Sequence, residues 1–159
     1  MNRLLFPLLL LLMVQSITAQ ISGRVVGVTD GDTITVLAAG NKQIKVRLAG
    51  IEAPEKGQDF SDKAKRYLSD LVIGKEVRLE GSKIDRYGRL VAKAIMGKID
   101  VGKTLVHAGL AWHFKRYEKE QSPDDRMIYA AAEKAARNLK WGIWSMPNPM
   151  PPQEFRSSK

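Results

Sequence analysis

The chain has 159 residues, a formal net charge of +9 and a sequence pI near 9.9. This length favours a single domain, and a hydrophobic fraction of 44% is large enough for a packed core. The sequence has no cysteine and only two histidines, which excludes disulfides, thiolate zinc sites, cysteine nucleophiles and a His-rich metal centre. The excess of Lys and Arg indicates a polyanionic partner, either nucleic acid or an anionic membrane surface.

The first 19 residues have the composition of a secretory signal peptide. One cation, Arg3, precedes an apolar run over residues 4–14, and small residues lie near Ala19. The run is shorter than the about 20 residues needed to cross a bilayer, which favours a cleaved leader over an uncleaved anchor. We therefore expect a signal peptide over residues 1–19, a mature chain from Gln20 and a secreted or periplasmic protein.

Three short strands open the mature chain. Apolar residues alternate loosely over residues 20–28, and β-branched residues dominate residues 33–37. An Asp-Gly-Asp turn signal separates these segments. Residues 44–48 alternate between apolar and cationic side chains, as in a strand with one solvated face. The pattern predicts an antiparallel meander.

The period then changes to that of a helix over residues 60–71, closed by Gly74. Two further strands are predicted at residues 77–79 and 90–96. Asp100 can cap a short helix, and Ser122 with Pro123 begins a longer one whose buried face we assign to Ile128, Ala132, Ala135 and Leu139. Residues 147–159 contain four prolines and are predicted to be a flexible tail.

Five short strands with a helix between the third and the fourth are typical of an oligonucleotide-binding (OB) barrel. The predicted fold class is α+β, mainly β: a five-stranded OB-fold barrel with three helices. The predicted organisation is a signal peptide over residues 1–19, one domain over residues 20–146 and the tail.

Charged residues gather in three clusters. The first is Asp30-Gly31-Asp32-Thr33, the second runs from Arg47 to Glu55, and the third is Asp85-Arg86-Tyr87-Gly88-Arg89. Each cluster alone also fits a hairpin turn or a solvated surface. Together they offer what phosphodiester hydrolysis needs, namely cations where charge develops, oxygen ligands for a hard metal ion and a carboxylate near the attacking water.

In their order and spacing the three clusters resemble the thermonuclease family, the staphylococcal nuclease-like phosphodiesterases. The resemblance covers residues 24–144 and includes the G-L-A segment at residues 109–111 and the G-I-W segment at residues 142–144. It implies a nuclease that cleaves DNA and RNA with low sequence specificity and leaves 3′-phosphate ends.

The same resemblance assigns roles to individual residues. Arg47 and Arg89 would grip the phosphate, and Glu55 would orient or deprotonate the attacking water. One Ca²⁺ ion would be bound by Asp32, Glu52 and the backbone carbonyl of Ala53, with Asp30 in an outer position. Many members carry Asp where this chain has Glu52 and Thr where it has Ala53, so metal affinity can differ here.

A nucleic-acid surface is predicted from two tyrosines that have cationic residues as sequence neighbours. Tyr87, Tyr117, Lys115 and Arg116 are the candidate substrate-binding residues, and stacking on the tyrosines would favour single-stranded DNA and RNA. We expect a monomer with no stable membrane association after signal cleavage.

Two alternatives follow from the same residues. The first is a non-catalytic OB-fold module that binds nucleic acid, although Arg47, Glu55 and Arg89 are all retained. The second is a nucleotide-binding loop, because residues 97–104 fit the pattern G-x4-G-K-T. The loop interior holds Ile99 and Val101 instead of small residues, so a turn followed by a helix start is the preferred interpretation.

Overall fold

A computed structural model describes residues 20–158, and the predicted signal peptide over residues 1–19 lies outside the described residues. In chain order the strands are β1 (Ile21–Asp30), β2 (Thr33–Ala38), β3 (Lys42–Leu48), β4 (Ile51–Glu52), β5 (Glu76–Ile84), β6 (Leu90–Met96), β7 (Ile99–Asp100) and β8 (Trp112–His113). The helices are α1 (Ser61–Val72), α2 (Val101–His107), α3 (Pro123–Asn138) and α4 (Pro152–Ser157), with 3-10 turns at Ala39–Asn41, Lys115–Glu120 and Gly142–Ser145. Across residues 20–158 every helix is too short or too polar to cross a membrane.

Five of the strands close into a barrel. Antiparallel pairing gives the order β3-β2-β1-β5-β6, and β3 then pairs with β6 in parallel, with Val46 opposite Leu90 and Leu48 opposite Ala92. The two-residue strand β7 extends the β6 edge, and β4 pairs with β8 in a separate small sheet. The predicted five-stranded OB-type barrel is confirmed.

The barrel is filled by alternating side chains of its strands. Ile34 and Val36 on β2 and Val46 and Leu48 on β3 are fully buried, as the period of two in a half-buried strand requires. Helix α1 covers the barrel with one face, formed by Ala64, Leu68 and Val72.

The predicted helix starts at Asp100 and Ser122 are confirmed. The Ser122 side chain accepts a hydrogen bond from the backbone N–H of Asp125, and the Asp100 carboxylate accepts one from that of Lys103 at 3.0 Å. In the segment 97–104 an anionic side chain therefore occupies the helix N-terminus, where a nucleotide phosphate would have to bind. The preferred interpretation of this segment, a turn and a capped helix, is confirmed.

The predicted buried face of α3 is wrong by part of a turn. Ile128 and Leu139 are exposed, whereas Tyr129, Ala132, Glu133 and Ala136 are buried. The orientation follows from Tyr129, whose hydroxyl donates to the Asp100 carboxylate at 2.9 Å while its ring packs in the core. The large, hydrogen-bonded side chain of Tyr129 therefore determines which face of α3 is buried, and the aliphatic side chains of Ile128 and Leu139 are left exposed.

Helix α4 lies in the segment that the sequence predicts to be a flexible tail. The described chain thus contains four α-helices instead of the three that were expected. Gln58 anchors the segment before α4, because its side-chain amide donates to the carbonyl of Met150 at 2.6 Å.

Candidate active site

The turn between β1 and β2 lies tightly against two other parts of the chain. A Cβ atom on Gly31 would be 2.7 Å from the Cβ of Ala53 and 2.8 Å from that of Ala64. Any side chain here would push the turn outward, so glycine is required for this approach. As a consequence Asp30 and Asp32, on either side of Gly31, lie beside the residues that follow β4.

Asp32 is the buried carboxylate of the site, with 8% of the residue exposed. Its Oδ2 accepts a hydrogen bond from the backbone N–H of Ala53 at 2.9 Å and lies 3.2 Å from Nη1 of Arg47. Its Oδ1 accepts from the hydroxyl of Thr33 at 3.1 Å. Burial raises the pKa of Asp32 to about 6, although the neighbouring Arg47 opposes this shift. Asp30 is turned back on its own loop, where it accepts from the backbone N–H of Asp32 at 3.1 Å.

Arg47 is held by backbone carbonyls as well as by charge. Its Nη1 donates to the carbonyl of Leu48 at 3.0 Å and to that of Ile51 at 2.9 Å. The residue pairs across the β2–β3 ladder with Thr33, which places its guanidinium next to Asp32. These contacts leave Arg47 a single orientation, at the point where β3 passes into the β4 segment.

Arg89 is positioned by Asp85, a residue to which the sequence analysis gives no role. The Asp85 carboxylate accepts from Nε of Arg89 at 2.7 Å and from the backbone N–H groups of Arg89 and Tyr87 at 3.0 and 2.9 Å. Burial alone would raise the pKa of Asp85, but these hydrogen bonds and the charge of Arg89 outweigh it and lower the pKa below the ordinary value. Nη1 of Arg89 also lies 3.4 Å from the hydroxyl of Thr33. Thr33 therefore contacts both Asp32 and Arg89.

Glu52 and Glu55 lie on the segment that leaves β4. Glu52 pairs across the small sheet with Trp112 and is only 5% exposed, whereas the side chain of Glu55 is more open. Gln58 supports Glu55 because its side-chain oxygen accepts from the backbone N–H of Glu55 at 2.9 Å. Gln58 is a second residue that the sequence analysis missed, since an isolated Gln in a loop carries no signal of its own.

A third arginine, Arg156 on α4, reaches this pair of carboxylates. Its Nη2 donates to Oε1 of Glu52 at 2.8 Å, and its Nη1 donates to Oε1 of Glu55. No sequence pattern indicates this contact, because Arg156 lies about a hundred residues from its partners in a proline-rich tail.

The two predicted substrate-binding tyrosines are exposed, and Tyr87 lies next to Arg89. Tyr87 is 66% exposed, and the guanidinium groups of Arg86 and Arg89 lie 4.8 and 5.3 Å from its ring centre. Tyr117 is exposed as well, with the ammonium group of Lys83 5.4 Å from its ring.

The two predicted cations beside Tyr117 differ in their surroundings. Arg116 is exposed, whereas Lys115 forms an ion pair with the buried Glu133 at 2.6 Å. Lys115 therefore neutralises a buried carboxylate in the described structure.

The fold brings most of the predicted site together. Thr33 and Asp32 connect Arg47 with Arg89, and the backbone of Ala53 connects Asp32 with the Glu52–Glu55 segment. Within residues 20–158 there is no group of three Asp, Glu or His side chains that could hold a metal by itself.

The raised pKa of Asp32 predicts a stability that depends on pH. Without metal, the folded protein retains a proton between the ordinary pKa of 3.8 and about 6, while the unfolded chain has lost it. The free energy of unfolding should therefore fall as pH rises through this window, by about 3 kcal/mol relative to Asp32→Asn, which cannot ionise. Urea titrations of both proteins at pH 4, 5, 6 and 7 in chelator measure the difference. Parallel pH profiles would show that Asp32 is ionised throughout.

Comparison with known proteins shows the family of the chain. Residues 45–146 match the family model described as "Staphylococcal nuclease homologue". An uncharacterized endonuclease of Haemophilus influenzae is 44% identical over 133 residues, which are 84% of this chain and 71% of that protein. A micrococcal nuclease of Shigella flexneri is 38% identical over 148 residues, which are 87% of this chain and 82% of that protein. On both grounds the chain belongs to the staphylococcal nuclease homologue family.

Proposed function

We propose that the protein is a secreted, calcium-dependent nuclease that hydrolyses the phosphodiester bonds of DNA and RNA with low sequence specificity and leaves 3′-phosphate ends. The observation that carries this proposal is the pair of guanidinium groups held by carboxylates, Arg47 by the buried Asp32 and Arg89 by the half-buried Asp85. Arg47 is held by two carbonyls and Asp32, and Arg89 is held by Asp85. Cations held in one orientation can stabilise charge that develops on phosphate oxygens without first reorganising.

The arginines would bind the phosphate from two sides. Each guanidinium still has N–H groups beyond those used in the contacts described, and its planar fork matches two phosphate oxygens. The charge that builds up as water attacks in line would fall on the oxygens that face Arg47 and Arg89. The 5′-oxygen would leave, and the phosphate would remain on the 3′ side.

Glu55 would act on the attacking water. It is more accessible than Glu52, and its backbone is held by Gln58, so its carboxylate can orient a water molecule or accept its proton. Orientation of the water is the larger part of the role that we propose for Glu55, because Gln58 fixes its backbone.

The donor set fits a hard divalent cation. Asp32 and Glu52 are buried carboxylates, and the N–H of Ala53 donates to Asp32, which places the Ala53 peptide beside both. Oxygen-only ligands of this kind suit calcium, with water completing the coordination. Asp30 would lie outside the first ligand shell. When bound, the ion would supply positive charge that offsets the negative charge on the phosphate.

Conservative substitution of the charged residues tests the catalytic assignment. Arg47→Lys, Arg89→Lys and Glu55→Gln should each lower kcat by ~10²–10³, because one positioned group is lost in each variant. Lysine keeps the charge but not the planar fork. Arg66→Lys, on the exposed face of α1, makes the same chemical change away from the site and should keep the wild-type rate. If Arg47→Lys, Arg89→Lys or Glu55→Gln folds and still cleaves at the wild-type rate, the substituted residue does not have the proposed catalytic role.

Removal of the cation tests the proposed cofactor. We expect that chelator abolishes cleavage of DNA, that calcium restores it, and that Asp32→Ala is as inactive as the metal-free protein, because a principal ligand is missing. Initial rates over a calcium titration measure both effects. Full activity in excess chelator would exclude a metal from the reaction.

The non-catalytic alternative makes an opposite prediction for the same experiments. A binding module with an OB barrel would bind nucleic acid both with calcium and with chelator, and it would not cleave it. The retention of Arg47, Glu55 and Arg89 in fixed positions favours the nuclease.

Tyr87 and Tyr117 support a preference for single strands. Both rings are exposed on the surface that contains Arg89 and Lys83, and unpaired bases can stack on them, whereas the faces of paired bases are hidden. Arg116 would contribute phosphate contacts nearby, and Lys115 could do so only by leaving Glu133. Charge neutralisation of this kind releases counterions and makes binding dependent on salt.

We expect matched single-stranded DNA to be cleaved faster than the duplex, and Tyr87→Leu to reduce this difference, since a stacked base contributes ~1–3 kcal/mol. Tyr67→Leu removes an exposed tyrosine from α1 and is the control. Initial rates on both substrates, over a salt series at fixed calcium, measure the preference. Equal rates on both forms would show that the tyrosines do not contact bases.

The remaining proposals rest on the sequence. The leader over residues 1–19 would direct export to the periplasm or the medium. The mature nuclease domain would extend over residues 20–146 and act as a monomer.

A further inference from the structure

The C-terminal segment, residues 147–158, returns to the mouth of the candidate site. The amide of Gln58 holds it at the carbonyl of Met150, at 2.6 Å, and Pro152 at the start of α4 is buried. Gln58 also supports Glu55 through its other side-chain atom. One side chain thus connects the C-terminal segment to the residue proposed to orient the attacking water.

Arg156 uses both ends of its guanidinium fork on the site. One nitrogen donates to Glu52 and the other to Glu55, and each contact is to Oε1 of the carboxylate. The Glu52 side chain is almost fully buried, whereas that of Arg156 is 48% exposed. Arg156 therefore lies at the surface and covers the buried carboxylate of Glu52.

The two partners of Arg156 are the carboxylates that the proposed reaction needs. A divalent cation bound through Glu52, and a water oriented by Glu55, would share these carboxylates with the guanidinium, which holds Oε1 of each. Two cations in contact with the same carboxylate repel each other. Arg156 and a bound cation therefore compete at Glu52.

We propose that the C-terminal segment is an internal inhibitor, in which Arg156 occupies the cation site and is displaced when a divalent cation binds. This proposal rests on the proposed function, since it regulates the same site. The ion would bind tightly only to molecules in which Arg156 is away from the site, so the measured affinity for calcium would be the intrinsic affinity multiplied by the fraction of molecules in which the site is open. The segment would thus set a calcium threshold for the enzyme.

Calcium binding in the absence of nucleic acid provides the first test. Isothermal titration calorimetry with CaCl2 is applied to the wild-type protein, to Arg156→Ala and to Arg66→Ala. If the segment covers the site for nine-tenths of the time, Arg156→Ala should bind calcium about tenfold more tightly. Arg66→Ala makes the same change on the exposed face of α1 and should match the wild type. Equal affinity of all three proteins would overturn the proposal.

The position of the segment provides the second test, which separates displacement from the mere loss of a charge. The sequence has no cysteine, so Gln153→Cys on α4 and Lys65→Cys on α1, both at exposed positions, can be spin-labelled without background. We expect one narrow distance distribution without metal, and a broad, longer one at saturating calcium or in Arg156→Ala. An unchanged distribution at saturating calcium would show that ion and segment bind together, and would overturn the proposal.

The two tests distinguish failure of this inference from failure of the proposed function. If wild type and Arg156→Ala bind calcium equally and both cleave DNA, the inhibitor is excluded and the nuclease stands. If neither protein binds calcium nor cleaves DNA, the proposed function fails, and the inhibitor fails with it.

Discussion

The arrangement of the site depends on one buried carboxylate. Asp32 has little access to water, and a buried charge is costly unless hydrogen bonds and an opposite charge compensate it. Its partners come from three parts of the chain: Thr33 beside it, Arg47 on β3 and the Ala53 peptide after β4. The requirement to satisfy Asp32 therefore draws together the β1–β2 turn, the end of β3 and the segment that carries both glutamates. Arg47 takes its orientation from this arrangement.

The two phosphate-binding arginines are supported in different ways. Arg47 is bonded to backbone carbonyls at the edge of the core, so its position changes only if the barrel itself changes. Arg89 lies on the turn between β5 and β6, where the single side chain of Asp85 organises the loop through three hydrogen bonds. Tyr87 belongs to the same turn and is held by the same carboxylate. The turn therefore couples the position of a cation to that of an aromatic ring that can stack on a base.

Much of this structure could be predicted from the sequence because local rules control it. Alternation of apolar residues predicts the barrel strands, and capping residues predict the starts of α2 and α3. The candidate site is predicted from the resemblance of three charged clusters to a known family. Contacts between distant residues could not be predicted in this way. The rotation of α3 depends on the bond from Tyr129 to Asp100, and the site contact of Arg156 depends on how a proline-rich segment turns back. In both cases one polar contact across the fold determines the outcome, and no repeat or motif indicates it.

The parallel pairing of β3 with β6 has a consequence for the folding of the chain. These strands are about forty residues apart, and their pairing closes the barrel. Loop-closure entropy is lost before contacts of this separation are gained. Arg47 lies on one of these strands and Arg89 directly precedes the other, so the two guanidinium groups come together only when these strands pair. A newly made or unfolded chain therefore contains every residue of the site without possessing the site.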